Sequence, residues 1–419
     1  MVSLLRLKNT FLLLAILLFS CGNNLAADNK TTTPIKSETV KAPQIRTGAE
    51  NIEAYLPLLK DKKVGVVTNQ TGILQHTTTQ RMQGGVLSTS ENIHLVDFLL
   101  SKHIHLTKIF APEHGFRGTA DAGEHIKNGK DITTGLPIIS LYGNNKKPTD
   151  KQLEGLDVLV FDLQDVGARF YTYISTLHYV MEACAENNIP LIVLDRPNPN
   201  AHIIDGPVLE KENKSFVGMH PVPVLYGMTI GEYGKMINGE KWLTNGIQCN
   251  LTVIPCKNYT HNSTYSLPVK PSPNLPNDRA IALYPSLCFF EGTNVSVGRG
   301  TNIQFQVYGA PYFSDTKFEF TPGPNEGAKN PKYNGTRCYG YNLTGINRLE
   351  KLELKWLLNA YNITPDKSEF FISFFTKLAG TKKLQQQIKQ GLSEEAIRAS
   401  WTKDLNSFKL TRNKYLIYD

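Results

Sequence analysis

Residues 105–118, HLTKIFAPEHGFRG, run from an apolar stretch straight into a carboxylate, an imidazole, a guanidinium and two glycines. A buried strand that ends so abruptly delivers its polar groups at its carboxyl end, where open α/β sheets collect their ligands. Gly115 and Gly118 let the backbone turn sharply and approach a ligand closely. Asp121-Ala122-Gly123-Glu124 follows within a few residues. Glu113 is therefore the first candidate for chemistry.

Working outward, the same grammar repeats. KKVGVVTNQTG (62–72) is a strand with a polar turn that offers Asn69 and Gln70, and ENIHLVDFLLSKH (91–103) has the pattern of the amphipathic helix preceding the Glu113 strand. LDVLVFDL (156–163) is apolar enough for the middle of a parallel sheet and leads into Asp162, Gln164, Asp165 and Gly167. A helix is predicted over 172–187, and IPLIVLDRPNPN (189–200) ends in Asp195, Arg196 and Asn198. Four apolar runs with polar downstream ends predict an α/β fold, a Rossmann-like, mostly parallel sheet domain over 47–269. VPVLYG, TIGEYGKMINGEKW and NLTVIPC extend it. The proline-rich KPSPNLPN (270–277) marks a hinge, and loops followed by helical patterns predict a second, smaller α+β domain over 270–419.

The N-terminal 20 residues combine Arg6 and Lys8 with FLLLAILLFS, too short to span a bilayer and consistent with a signal peptide. Leu18-Phe19-Ser20-Cys21 resembles a bacterial lipobox, with Cys21 as the lipidated residue. Residues 21–46, rich in polar side chains, then form a flexible tether, and the protein is expected to be a cell-envelope lipoprotein, periplasmic or anchored at the outer membrane. With 419 residues, 41% hydrophobic and 20% charged, the chain has ample material for cores. Its net charge of +8 comes without a basic block interleaved with aromatics, so nucleic acid is not a predicted partner. Apart from Cys21, five cysteines remain with no metal-ligand spacing; Cys249 and Cys256, which flank a predicted strand, either pair or stay as buried thiols. No GxGxxG follows the first strand and no GxxxxGK[ST] occurs, which argues against a dinucleotide or other phosphate cofactor.

TNQTG, FAPEHGFRG with DAGE, GLPIISLYG, DVLVFDLQDVGARFYTYISTL, IVLDRPNPN, DGPVLE, PVPVLYGMTIGEYG, SPNLPN and FEGTNVSVGRGT together resemble the bacterial exo-β-N-acetylmuramidase family, long catalogued as a domain of unknown function. The resemblance covers almost the whole chain beyond the tether, in order. It implies a glycoside hydrolase that removes terminal N-acetylmuramic acid from non-reducing ends of peptidoglycan fragments, without a cofactor. It also implies a site in the cleft between the Rossmann-like domain and the ancillary one, with Glu113 as the family's catalytic glutamate.

The residues suit that chemistry. Glycoside cleavage needs an acid to protonate the leaving oxygen and a second group to meet the anomeric carbon. A carboxyl leaving an apolar strand is poorly hydrated, which favours the acid form. Asp162 and Glu124 are the supporting carboxylates, Asp165 and Glu291 further acidic candidates, and the sugar's own 2-acetamido group is an alternative nucleophile. Muramic acid carries a lactyl carboxylate that an arginine fork can read, and Arg117, Arg169, Arg196 and Arg299 all follow turns suited to presenting one. Phe170, Tyr171 and Tyr173 offer ring faces for a pyranose; Asn69, Gln70, His114 and Asn274 offer hydrogen bonds. Two other readings use the same sequence: a zinc-dependent peptidoglycan hydrolase built on His114, Asp121, Glu124 and His125, and a non-catalytic muropeptide-binding lipoprotein.

Overall fold

The computed structural model describes residues 43–82, 85–117, 128–313 and 316–419. The expected signal peptide, Cys21 and nearly all of the expected tether lie outside the described residues, as do Asp121, Glu124 and His125. Gln44–Asp419 forms one compact unit.

Its centre is a seven-stranded sheet in the order Leu251–Ile254, Leu191–Leu194, Val158–Asp162, Val64–Thr68, Leu106–Ala111, Pro137–Ser140, Gly129–Lys130. The first six run parallel and only Gly129–Lys130 pairs antiparallel, at the edge. Val64–Thr68 and Val158–Asp162 are buried at every position, which is why both read as apolar runs up to their closing Thr68 and Asp162. The chain winds from Val64–Thr68 outward through Leu106–Ala111 to Pro137–Ser140, then returns to the other side of Val64–Thr68, so the sheet is doubly wound. All the parallel strands therefore present their carboxyl ends on one edge.

Several predicted elements sit differently. Glu91–His94 is not the first turn of a helix: Ile73–Met82 and Gly85–His94 form a long antiparallel hairpin, and the helix is only Leu95–Ser101. His94 ends the strand and caps that helix, its Nδ1 accepting from the Val96 amide at 3.2 Å. VPVLYG does not extend the main sheet either; Leu225–Tyr226 pairs with Ile204–Asp205 in a separate two-stranded ribbon.

A three-stranded antiparallel sheet, Val307–Ala310, Cys338–Asn342 and Phe318–Phe320, marks the smaller domain, followed by helices that end in Glu394–Arg412. One apolar core runs from Val67 beneath the large sheet to Phe408 in that last helix. The final residues return to the large sheet. The Tyr418 hydroxyl donates to Asp195 Oδ2 at 2.7 Å, and the Ile417 amide donates to Glu232 Oε1 at 2.8 Å. All five cysteines of the described residues are buried free thiols, Cys249 and Cys256 included. The neighbour of Cys249 is Cys184, whose thiol that contact and burial push well above its usual range.

Candidate active site

Leu106–Ala111 stops because Pro112 has no amide to donate to the ladder. The chain then turns tightly, the Gly115 amide reaching the Pro112 carbonyl at 3.0 Å, with both His114 (φ 71°) and Gly115 (φ 75°) in the left-handed region. That conformation costs a histidine free energy and marks a backbone held for a purpose. It places Glu113 and His114, 8% and 5% exposed, in the wall of a cavity of about 550 Å3.

The Thr172 hydroxyl donates to Glu113 Oε2 at 2.6 Å, and the Tyr173 hydroxyl lies 3.4 Å from the Glu113 carbonyl oxygen. Tyr173 in turn accepts from Asn69 Nδ2 at 2.6 Å, so Asn69 acts one layer behind the wall. Tyr171 packs edge-on to Tyr173 with ring centres 4.8 Å apart, and its hydroxyl donates to the Pro271 carbonyl at 2.7 Å. Gln70 holds the same proline-rich loop, donating to the carbonyls of Lys270 and Pro271 at 3.2 and 3.3 Å. This loop thus brings Ser272, Asn274 and Leu275 to the cavity. Asn274 donates from Nδ2 to the Gly327 carbonyl at 2.6 Å, while its buried Oδ1 has no hydrogen-bond partner among the described residues.

The smaller domain supplies Tyr284, Cys288, Glu291, Arg299, Phe305, Phe374 and Leu378. Glu291 and Arg299 form an ion pair at 2.7 Å, and Arg299 also donates to the Gly327 carbonyl at 3.1 Å. Both reach a neighbouring cavity of about 320 Å3, where Lys332 donates to the carbonyls of Phe290, Thr293 and Val295. Burial brings the Lys332 ammonium down to about 8.

Family models for the exo-β-N-acetylmuramidase NamZ, N-terminal and C-terminal, match residues 64–279 and 282–418. This chain belongs to the exo-β-N-acetylmuramidase family. Peptidoglycan β-N-acetylmuramidase NamZ of Bacillus subtilis strain 168 is 40% identical over 405 residues, 91% of this chain and 94% of that one. Two crystal structures of DUF1343 family proteins from Bacteroides fragilis share the fold. One has 43% identity and a TM-score of 0.80 over 90% of this chain and 99% of its own; the other has 30% and 0.74 over 90% and 100%.

In this exo-β-N-acetylmuramidase family member, the cavity gathers Glu113, His114, Phe170, Tyr171, Tyr173, Asn274, Glu291 and Arg299 out of the sequence candidates. Others lie elsewhere, and each has a physical reason. Asp162 is fully buried and bound by Arg196, whose Nε and Nη2 donate to its two oxygens at 2.6 and 2.9 Å, so neither the carboxylate nor the guanidinium faces the cavity. Arg169 is fully buried too, and it donates to the carbonyls of Pro207, Val222, Leu378 and Ala379 as a brace between loops. Arg117 stacks on Phe116 and pairs with Asp131 at 2.5 Å. Asp165 accepts from the Tyr226 hydroxyl and, at 2.7 Å, from the Gly167 amide, and burial pushes it up to about 6. Asp195 is held likewise, up to about 6, beneath Thr229 and Tyr418. Of the proposed zinc ligands only His114 is described. Among the described residues no group of three or more His, Cys, Asp or Glu side chains is placed to hold a metal ion.

Thr172, Tyr142, Lys146, Phe216 and Tyr284 line the cavity without having been singled out in the sequence. Only Thr172 carried a signal, lying between two tyrosines already named as candidates.

Proposed function

We propose that this protein releases terminal N-acetylmuramic acid from non-reducing ends of peptidoglycan fragments, with Glu113 as the general acid. The observation that carries this reading is a single cavity in which Glu113 is held by Thr172 among Tyr171, Tyr173 and Tyr284. An acid at that position protonates the departing glycosidic oxygen, while buried aromatic rings exclude water and give the pyranose a surface to stack on. Asn274 Oδ1 suits an N–H or hydroxyl of the sugar. Arg299, alone among the four arginine candidates in lining the cavity, takes the lactyl carboxylate, with Glu291 as the acidic partner that orients it. The 2-acetamido group, which every N-acetylmuramic acid carries, meets the anomeric carbon in this reading.

A chromogenic N-acetylmuraminide, its N-acetylglucosaminide counterpart and the Glu113→Gln variant test the proposal together. The wild type is expected to cleave the first far faster than the second, and the folded variant to cleave neither. Equal inactivity of the wild type on both would overturn the reading in favour of a binding protein. The leader over residues 1–46 supports placement at the cell envelope through lipid on Cys21. Cys21→Ser should then move the protein from the membrane fraction to the soluble one; unchanged fractionation would reject the anchor.

A further inference from the structure

The cavity has a second cation that the proposed reaction does not use. Lys146 lies in the loop after Pro137–Ser140 and lines the cavity together with Tyr142, Phe216 and Val217, all half-buried. Its ammonium sits 4.8 Å from the centre of the Phe216 ring. That ring is itself fixed. Ser215 and Gly218 close the turn beneath it with reciprocal backbone hydrogen bonds of 2.9 and 3.0 Å, and Tyr179 and Tyr142 pack against it at 6.3 and 6.0 Å.

The adjacent Lys147 is consumed by Glu182 at 2.9 Å and Glu186 at 2.6 Å. Lys146, by contrast, has no carboxylate partner among the described residues. A cation resting on an aromatic face gives up little of its hydrogen-bonding capacity, so its donors remain available to the cavity. Arg299 differs, because Glu291 and the Gly327 carbonyl already engage it.

Position along the cavity decides what Lys146 meets. Glu113 and His114 are nearly inaccessible, and two half-buried groups line the cavity besides them: Glu291 and Arg299 from the smaller domain, and Tyr142, Lys146, Phe216 and Val217 from loops of the large-sheet domain. On the reading above, the glycosidic oxygen lies at Glu113 and the terminal sugar's lactyl group at Arg299, so the leaving portion takes the side of the cavity formed by Tyr142, Lys146, Phe216 and Val217. We propose that Lys146, held on Phe216, is a specificity determinant for a carboxylate carried beyond the scissile bond, so that acidic fragments are preferred to neutral ones. That carboxylate belongs either to the lactyl group of a second muramic acid unit or to a peptide stem attached to it. The inference rests on the proposed function and adds to it a preference among fragments.

Binding to the Glu113→Gln protein, followed by calorimetry, tests it without turnover. The ligands are the disaccharide of N-acetylmuramic acid and N-acetylglucosamine, and a trisaccharide with a second muramic acid at its reducing end. The trisaccharide is used with that unit's lactyl group free, amidated, or extended by a dipeptide. The free trisaccharide should bind about five-fold tighter than the amidated one, in the range of a partly exposed ion pair. Adding Lys146→Met should close the gap, and Lys146→Arg should keep it. A gap that appears only with the dipeptide assigns the carboxylate to the stem and supports the inference equally. A gap indifferent to Lys146→Met, no gap with either acidic ligand, or equal weakening of the disaccharide would overturn the inference and leave the proposed function standing. Failure of the Glu113→Gln protein to bind any of these saccharides would overturn both.

Discussion

Glu113 and Asp162 both stand at the carboxyl ends of parallel strands in the same sheet, the Asp162 strand lying one position beyond the central Val64–Thr68. Their fates are opposite. The chain turns around Glu113 from Pro112 through His114 to Gly115 and leaves that side chain on a cavity. Asp162 is instead sealed by Arg196 from the next strand end, with Ile73 capping the guanidinium through its carbonyl at 3.0 Å. A strand end supplies a polar group where the sheet can use it; whether the group meets substrate or protein depends on the partner that the neighbouring loop brings.

The largest effect that would break this comparison is expected at Glu113. Glu113→Gln should lower sugar release by about 10^2- to 10^4-fold, the usual contribution of a positioned acid, while leaving thermal unfolding unchanged. A variant that retains near-normal release would place the chemistry elsewhere. On the sealed side the loss should be of stability. Arg196→Met strands a buried carboxylate and should cost about 3–5 kcal/mol in denaturant unfolding, whereas the double change with Asp162→Asn should recover part of that. A single variant as stable as the wild type would show the pair to be dispensable.

The smallest expected effect is in pH dependence. Burial raises Asp165 and Asp195 to about 6, so the folded state binds their protons more tightly than the unfolded chain does. Their contribution to stability is thus full below about 3.8 and is lost as pH rises through about 6. Between pH 5 and 7 each should account for a fall on the order of 1 kcal/mol, because a tenfold difference in proton affinity between the folded and unfolded chain is worth about 1.4 kcal/mol. Asp195→Asn should flatten that slope, and a slope unaltered in the variant would assign the titration to other groups.

The central strands were legible because a strand covered on both faces is apolar at nearly every position, as in 158–161 and 64–67, each closing on the polar Asp162 or Thr68. The hairpin over 73–94 was not, since its Thr, Ser, Gln and Asn residues carry little apolar signal and Glu91–His94 abuts a genuine helix. Within the site, Glu113, Tyr171, Tyr173 and Asn274 could be named from their neighbours in sequence. The roles of Asp162, Arg169 and Arg196 could not, because their partners lie 34 or more positions away and depend on how loops pack. Lys146 and Phe216 stayed hidden for the same reason: 70 residues of chain separate two side chains that meet only once the loops around the cavity have folded.

The hydrogen bond from Tyr418 to Asp195 spans 223 positions of chain. During synthesis, the end of the Leu191–Leu194 strand is made 223 positions before the Tyr418 that fastens Asp195, and even after Leu251–Ile254 completes the large sheet it waits for that fastening until the last residues are added. Chaperone dependence of the nascent protein, and sensitivity to bulky fusions placed directly after Asp419, both follow from that delay.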